Sequence, residues 1–362
     1  MHIPDGYLSP TTCAVGYMAA APFWYGGLKR VKRMLQSRLV PLLAVVSAFC
    51  FVVMMFNLPI PGGTTAHAVG MGVGAIILGP WASLLAISIA LMIQSLFFGD
   101  GGITAFGFNS FNMAIAGSFA AYFVYRLIAG KSEITAGRRV AAAAIAGYVG
   151  INASALLAAL EFGVQPLFFH DASGTPLYAP YSLSVALPAM MFAHLTFAGL
   201  AEAVITGGLV AYLQRTNPSL LETTAITGNR SATGGLTTAG GWMGTRSMWI
   251  GLGMLMILSP LGLVAAGSAW GEWGAGDFQD PGVRQEIAHA SGNVAPPHQV
   301  PSGMQQLAKT WNAPLPDYAP GFIHNESVGY IASAVIGGGL IILVFSGLSW
   351  VFRRRTETTE TP

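Results

Sequence analysis

Charge in this chain is nearly confined to the joints between long apolar runs, and that spacing decides what it can fold into. Nine runs carry almost no ionisable side chains: residues 11–28, 39–56, 66–78, 81–98, 103–125, 140–160, 181–213, 248–269 and 328–352. A membrane-spanning helix needs about 20 apolar residues. The pattern therefore predicts an all-α polytopic membrane protein, with a seven-helix core followed by two further spans. The third run is short and parted from the fourth only by Gly79-Pro80. The seventh is long enough for a tilted helix after Pro188 or an added interfacial turn. Charged residues make up 9% of the chain, against about 25% in soluble domains, which excludes a soluble globular protein. The many glycines fit close helix–helix approach in a bilayer. Net charge is only +2, with no basic patch interleaved with aromatics, so nucleic acid is not a partner. Cys13 and Cys50 both fall inside apolar runs and read as small buried hydrophobes.

Orientation follows from the basic residues. With the N-terminus outside and nine alternating spans, the inside segments hold Lys29 to Arg38, Arg126 to Arg139, Arg215, Arg230, Arg246 and Arg353 to Arg355. That leaves only Arg284 and Lys309 outside, both in a long loop where the positive-inside bias is weak. The C-terminus is then cytoplasmic. Three parts follow: a core over residues 1–214, a Thr/Gly/Ser/Asn-rich cytoplasmic linker over 215–246, and a two-span module over 247–362 around an external loop of about 270–327. No internal repeat of the kind common in secondary transporters is visible.

The opening Met1-His2-Ile3-Pro4-Asp5-Gly6 is followed by no basic cluster or cleavable apolar run, so it does not read as a signal peptide. A free terminal amine, the next amide nitrogen and the His2 imidazole can wrap one ion in adjoining chelate rings, a set suited to Ni(II) or Cu(II). The alternative is that His2 is an accident of the start. His67 follows the external loop 57–65 at the outer end of the third run, on the same side as Met1 and His2. An intramembrane histidine often serves only helix packing, yet such a group is costly enough to mark a site, and its place beside His2 favours a ligand. Asn109 and Asn112, three apart, share a helix face; they either orient His67 and the N-terminal backbone or bond neighbouring helices. Asp5 and Asp100 satisfy loop amides or attract a cation. His194 and Glu202 lie deeper in the seventh run, as a proton relay or, more simply, as partners of neighbouring helices. Gly130-Lys131-Ser132 ends like a phosphate loop, but Tyr125 stands where its first glycine belongs. The chain thus supplies no ATPase of its own, and no H-E-x-x-H zinc-protease motif occurs.

Met1 to Gly6, with Gly63-Thr64-Thr65-Ala66-His67 at its spacing, resembles the cobalt/nickel substrate-binding membrane component of energy-coupling-factor transporters, the CbiM/NikM family. The likeness continues through Phe106 to Met113 and through His194 with Gly199 to Thr206, covering about residues 1–214. It implies a square-planar site of four nitrogens: the Met1 amine, the His2 amide and imidazole, and the His67 imidazole. It also implies Co²⁺ or Ni²⁺ as cargo with no resident cofactor, and a prokaryotic plasma (inner) membrane location among lipid. A separate transmembrane coupling component and two ATPase subunits are the implied partners.

The last two spans resemble the accessory component that accompanies such binding subunits, and Leu315-Pro316-Asp317-Tyr318 is similar to a short motif of those extensions. Its external loop scatters Glu272, Asp277, Asp280, Glu286, Asp317 and Glu326 among His289, His298 and His324. Lacking ligand spacing, they read as a solvated loop rather than a metal trap. Two other functions stay open. An ion-coupled carrier or channel would need charges through the spans, where Glu202 is the one obvious carboxylate. A membrane metalloenzyme built on His194 and Glu202 would need a water-bearing metal or a nucleophile.

Overall fold

The computed structural model describes residues 1–35, 39–224, 241–265 and 267–357. Arg38, Arg230 and linker residues 225–240 lie outside the described residues. Among the described residues the fold is helical, with one two-stranded hairpin. In chain order the elements are α1 (Pro10–Leu35), α2 (Val40–Met54), β1 (Leu58–Ile60), β2 (Thr64–Ala66), α3 (Met71–Leu78), α4 (Pro80–Phe98), α5 (Phe106–Ala129), α6 (Gly137–Phe168) and α7 (Leu183–Thr216). The C-terminal part adds α8 (Arg246–Val264), the short α9 (Pro281–Ala290) and α10 (Ser302–Leu307), and α11 (Glu326–Glu357). Among the described residues, six helices are long and apolar enough to cross a bilayer: α4, α5, α6, α7, α8 and α11.

The third apolar run departs from expectation. Ala66 belongs to β2, residues 67–70 are irregular, and the helix that follows is eight residues long. That is about 12 Å at 1.5 Å per residue, less than half a hydrocarbon core. All eight residues of α3 are buried, with α2, α4, α5, α6 and α7 packed around it. Leu220 and Leu221, from the turn Pro218–Thr224, are fully buried against α3. The core is therefore organised around a central stub, and the linker begins as a packed element. The seventh run is one continuous helix, α7, with Pro188 inside it. The sixth extends beyond its apolar stretch to Phe168, so Glu161 joins Glu202 as a carboxylate inside a long apolar helix. This corrects the reading of Glu202 as the one such group.

Three helices widen by a π-type turn, at Gln94–Phe98 in α4, Ser110–Gly117 in α5 and His194–Ala198 in α7. Such turns recur at functional sites because they re-aim side chains that a regular helix would bury elsewhere. The C-terminal loop is not a solvated excursion: Trp270, Trp273, Phe278, Ile287 and Tyr318 are all buried. It closes over the end of the bundle that bears the hairpin, the N-terminal segment and the loop 99–105. The opposite ends of α1, α5 and α7 carry the basic residues Lys29, Arg30, Arg126 and Arg215.

Candidate metal centre

The first residues run as a buried thread, and their backbone explains how they are held. The Ile3 amide donates to Asn109 Oδ1 at 2.8 Å, while its carbonyl accepts from Asn109 Nδ2 at 3.0 Å and from the Gly102 N–H at 2.8 Å. Pro4-Asp5-Gly6 then turns the chain, with the Tyr7 N–H reaching back to the Pro4 carbonyl. The Asp5 carboxylate accepts from the Ile103 and Thr104 amides at 3.1 and 2.7 Å, and from the Thr104 hydroxyl. Two backbones cross closely here: a Cβ on Gly102 would stand 2.3 Å from the Asp5 nitrogen. Only glycine permits that approach.

His67 arrives on the irregular strap between β2 and α3. Irregular buried backbone survives only where its polar groups are satisfied from within the protein. Glu202 of α7 does this. Its carboxylate accepts from the amides of Val69 and Gly70, each at 2.8 Å, and of Gly72 at 3.1 Å, with Thr206 Oγ1 at 3.4 Å. These are orphan donors at the N-terminus of α3, where a negative charge is favoured. Gly70 sits at φ +80°, a left-handed bend that a glycine takes without strain. Glu202 is thus the anchor of the strap that carries His67.

The meeting point is almost dry: Met1 is 2% exposed, His2 1% and His67 4%. His2 Nδ1 lies 3.3 Å from His67 Nε2 and 3.1 Å from Asp100 Oδ1. His67 Nδ1 is 3.0 Å from the Ala68 carbonyl. A carbonyl only accepts, so Nδ1 carries the proton and the Nε2 lone pair faces His2. The Met1 ammonium donates to Glu272 Oε1 at 2.8 Å. Ligating atoms of His2, His67 and Glu272 all fall within 4.8 Å of one another.

Burial lowers both imidazoles to about 4, with the Met1 ammonium adding to the effect in each and His2 also lowering His67. They are neutral near pH 7, the state a metal ligand requires. Burial, with the Glu272 charge, pushes Asp100 up to about 6. Burial also acts to raise Glu272, but the Met1 ammonium and the two imidazoles outweigh it and hold the carboxyl below its ordinary value. Beside the site opens a cavity of about 700 Å³ whose lining includes His67, Asp5, Asp100, Glu272, Asp277 and Asp317. No Lys or Arg among the described residues lines it. Walls of one sign concentrate cations.

Of the residues singled out from sequence, Met1, His2 and His67 converge, and Asn109 holds the N-terminal backbone beside them. Asn112 does not join them. It lies one turn deeper, donating from Nδ2 to Glu161 Oε2 at 2.7 Å, and its carbonyl accepts from Ser154. His194 Nδ1 is 2.8 Å from the Met190 carbonyl of its own helix, and its turn packs on the hairpin. His194 and Glu202 are not paired with each other: each serves backbone. Sequence reading placed Glu272 in a solvated loop, and the structure puts it on the terminal amine. Its setting in Trp270-Gly271-Glu272-Trp273 was the available signal, since two tryptophans seldom flank a residue that stays in water.

Residues 2–220 match the family described as the cobalt uptake substrate-specific transmembrane region, and residues 245–354 match the PDGLE domain. The chain is similar to a fused nickel transport protein, NikMN, of Rhodobacter capsulatus, at 56% identity over 94% of this chain and 95% of that protein. It is 40% identical to a probable fused nickel transport protein, LarMN, of Lactiplantibacillus plantarum, over 99% of this chain and all of the other. A crystal structure of a truncated transition metal transporter superposes with a TM-score of 0.55 at 56% identity, covering 59% of this chain and 98% of that one.

Proposed function

Because this chain belongs to the cobalt uptake substrate-specific transmembrane family, it is a metal transporter of the cell membrane, and we propose that its cargo is Ni²⁺, with Co²⁺ the alternative, bound by four nitrogens. These are the Met1 amine, the His2 amide and Nδ1, and His67 Nε2. The carrying observation is the 3.3 Å separation of His2 Nδ1 and His67 Nε2 beside the buried Met1 amine. Metal–nitrogen bonds of about 2 Å place neighbouring corners of a square about 2.8 Å apart, so a small closing motion seats an ion. Planar nitrogen fields suit Ni(II) and Cu(II) alike. Both full-length relatives are named for nickel, which favours Ni²⁺.

The chain acts as the substrate-binding component of an energy-coupling-factor importer. A coupling membrane component and two ATPase subunits supply the energy, because this chain contains no phosphate loop. The basic residues opposite the site support a cytoplasmic face at that end, with metal captured outside and no resident cofactor taking part. The acidic cavity draws the hydrated cation toward His67. A second reading has its own observation: Glu272 lies within ligating range of both imidazoles, which would make a two-nitrogen, one-oxygen site.

Metal affinity of the purified chain with its native start, with a short N-terminal extension, and with His67→Ala decides the matter. An extension converts the amine to an amide and removes one donor. Loss of tight Ni²⁺ binding in both variants is expected. An extended protein that binds Ni²⁺ as tightly as the parent would overturn the four-nitrogen site. Cellular uptake that persists without any ATPase partner would instead favour a carrier.

A further inference from the structure

We propose that Gln94 is the positioning residue that holds the His2 imidazole in its metal-binding form, and that the C-terminal module reaches the site through it. This rests on His2 ligating through Nδ1. Gln94 is completely buried at the start of the widened turn of α4. Its amide has two hydrogens, and both are committed: Nε2 donates to Asp100 Oδ2 at 3.2 Å and to the Tyr318 hydroxyl at 2.9 Å. Tyr318 in turn donates to the same Asp100 oxygen at 2.6 Å, so its own oxygen is free to accept from Gln94. Flipping the amide would set its oxygen against a carboxylate. The orientation is therefore fixed, and Oε1 is turned away from Asp100.

Two buried atoms in this corner have no partner among the described residues: Gln94 Oε1 and His2 Nε2. Asp100 joins the two side chains: its Oδ1 lies 3.1 Å from His2 Nδ1 and its Oδ2 accepts from Gln94 Nε2. In the metal-free state the His2 proton sits on Nδ1, facing Asp100 Oδ1, and Nε2 is an acceptor beside an acceptor. No bond can form. An ion that takes the Nδ1 lone pair leaves the neutral ring with its proton on Nε2. One proton leaves Nδ1, one arrives at Nε2, and the ring charge is unchanged. Nε2–H then has Gln94 Oε1 as its acceptor, and both orphans are satisfied at once. A ligating histidine characteristically donates its other N–H to an oxygen in this way.

Tyr318 belongs to the C-terminal module. Its ring stacks on Phe98 with centroids 4.8 Å apart, and the Leu315 amide donates to the Phe97 carbonyl at 2.9 Å. Asp317 and Tyr318 both adopt left-handed backbone, at φ 54° and 59°, a conformation that strains a non-glycine residue. The module thus spends strain to bring one hydroxyl onto Asp100 and Gln94.

The test uses the full chain with its native start and compares Gln94→Met, Tyr318→Phe and the double variant for Ni²⁺ affinity by chelator competition. Gln94→Met keeps the bulk and loses the acceptor; its affinity should fall roughly ten- to a hundredfold, the usual cost of such an outer partner. Tyr318→Phe should fall less, and the double variant no further than Gln94→Met, since both act through one amide. Histidine-¹⁵N spectra of the nickel-loaded parent should show a His2 Nε2–H protected from exchange, and Gln94→Met should expose it. The spectra of the loaded parent keep the assignment testable if Gln94→Met fails to accumulate, because they read the His2 Nε2–H without any substitution. Parent-like affinity in Gln94→Met, additive losses in the double variant, or a His2 Nε2–H that exchanges freely in the loaded parent would each overturn the assignment. If the N-terminal extension leaves binding intact, the four-nitrogen reading fails; if only Gln94→Met is silent, Gln94 alone is wrongly placed.

Discussion

The two halves of the chain meet at the candidate metal centre with opposite chemistry. The N-terminal core brings nitrogen, from Met1, His2 and His67, each held by buried backbone contacts to Asn109, Gly102 or the Glu202-anchored strap. The C-terminal module brings only oxygen, from Glu272 and Tyr318, on a loop that closes over the site. Nitrogen donors set the strength of a late first-row metal site, whereas a carboxylate or phenol beside them sets charge and orientation. Under the proposed four-nitrogen site this is a division of labour, with binding assigned to the core and access and alignment to the module. Changes on the nitrogen side should therefore cost more than changes on the oxygen side.

The largest effect should come from Glu202, although it touches no ligand side chain. Glu202→Ala strips the acceptor from three buried backbone donors, and hydrogen bonds to a charged group are worth about 1.5–3 kcal/mol each. The strap then loses its anchor, so thermal unfolding of the purified protein should show a stability loss of about 3 kcal/mol or more, with metal binding lost alongside. Glu202→Gln keeps one good acceptor and should fall between. Parent-like melting and affinity in Glu202→Ala would mean that the strap stands by itself, and that the core's rigidity has another source.

Acid should next separate the imidazoles of the core from the carboxyl of Asp100 beside them. His2 and His67 are lowered from 6.5 to about 4 in the folded protein. Between those values the unfolded chain takes up protons that the folded chain refuses, so stability falls as pH drops from 6.5 toward 4. Asp100 acts in the opposite sense: raised from 3.8 to about 6, it favours the fold below about 6 and loses that contribution as pH rises. Two imidazoles outweigh one carboxyl, and the melting temperature should fall on acidification through this window. Removing the nitrogen side with His67→Ala should flatten the profile; a profile that steepens instead would show that the carboxyl dominates.

How much of this was legible in the sequence follows the same division. The helical membrane class and the convergence of Met1, His2 and His67 could be read because apolar runs and short motifs are local signals. The α3 stub could not, since residues 66–70 are apolar enough to pass for helix; only the left-handed Gly70 and the distant Glu202 carboxylate reveal a strap. Asn109 and Asn112 look equivalent at a spacing of three, yet the widened turn beginning at Ser110 sends one to Ile3 and the other to Glu161. For Glu272 the flanking Trp270 and Trp273 signal burial but not its role, because its partner lies 271 positions away. Gln94 carries no such signal, being neutral and inside an apolar run.

The smallest effect should come from Glu272, and the reason is a charge balance. In the metal-free protein Glu272 faces one positive charge, the Met1 ammonium. In the loaded four-nitrogen site the amine is neutral, the ion contributes two positive charges and the deprotonated His2 amide one negative. The carboxylate again faces a net charge of one. An interaction equal in both states cancels from the affinity, so Glu272→Gln should shift Ni²⁺ affinity by about threefold at most, far below the tenfold or more of an outer ligand partner. Loading should still slow, most at low ionic strength, because one wall of the acidic cavity is discharged. A loss of a hundredfold or more would break the comparison outright. Glu272 would then be a ligand, the site would hold an oxygen donor beside the two imidazoles, and the module would belong to the binding chemistry rather than to its approach.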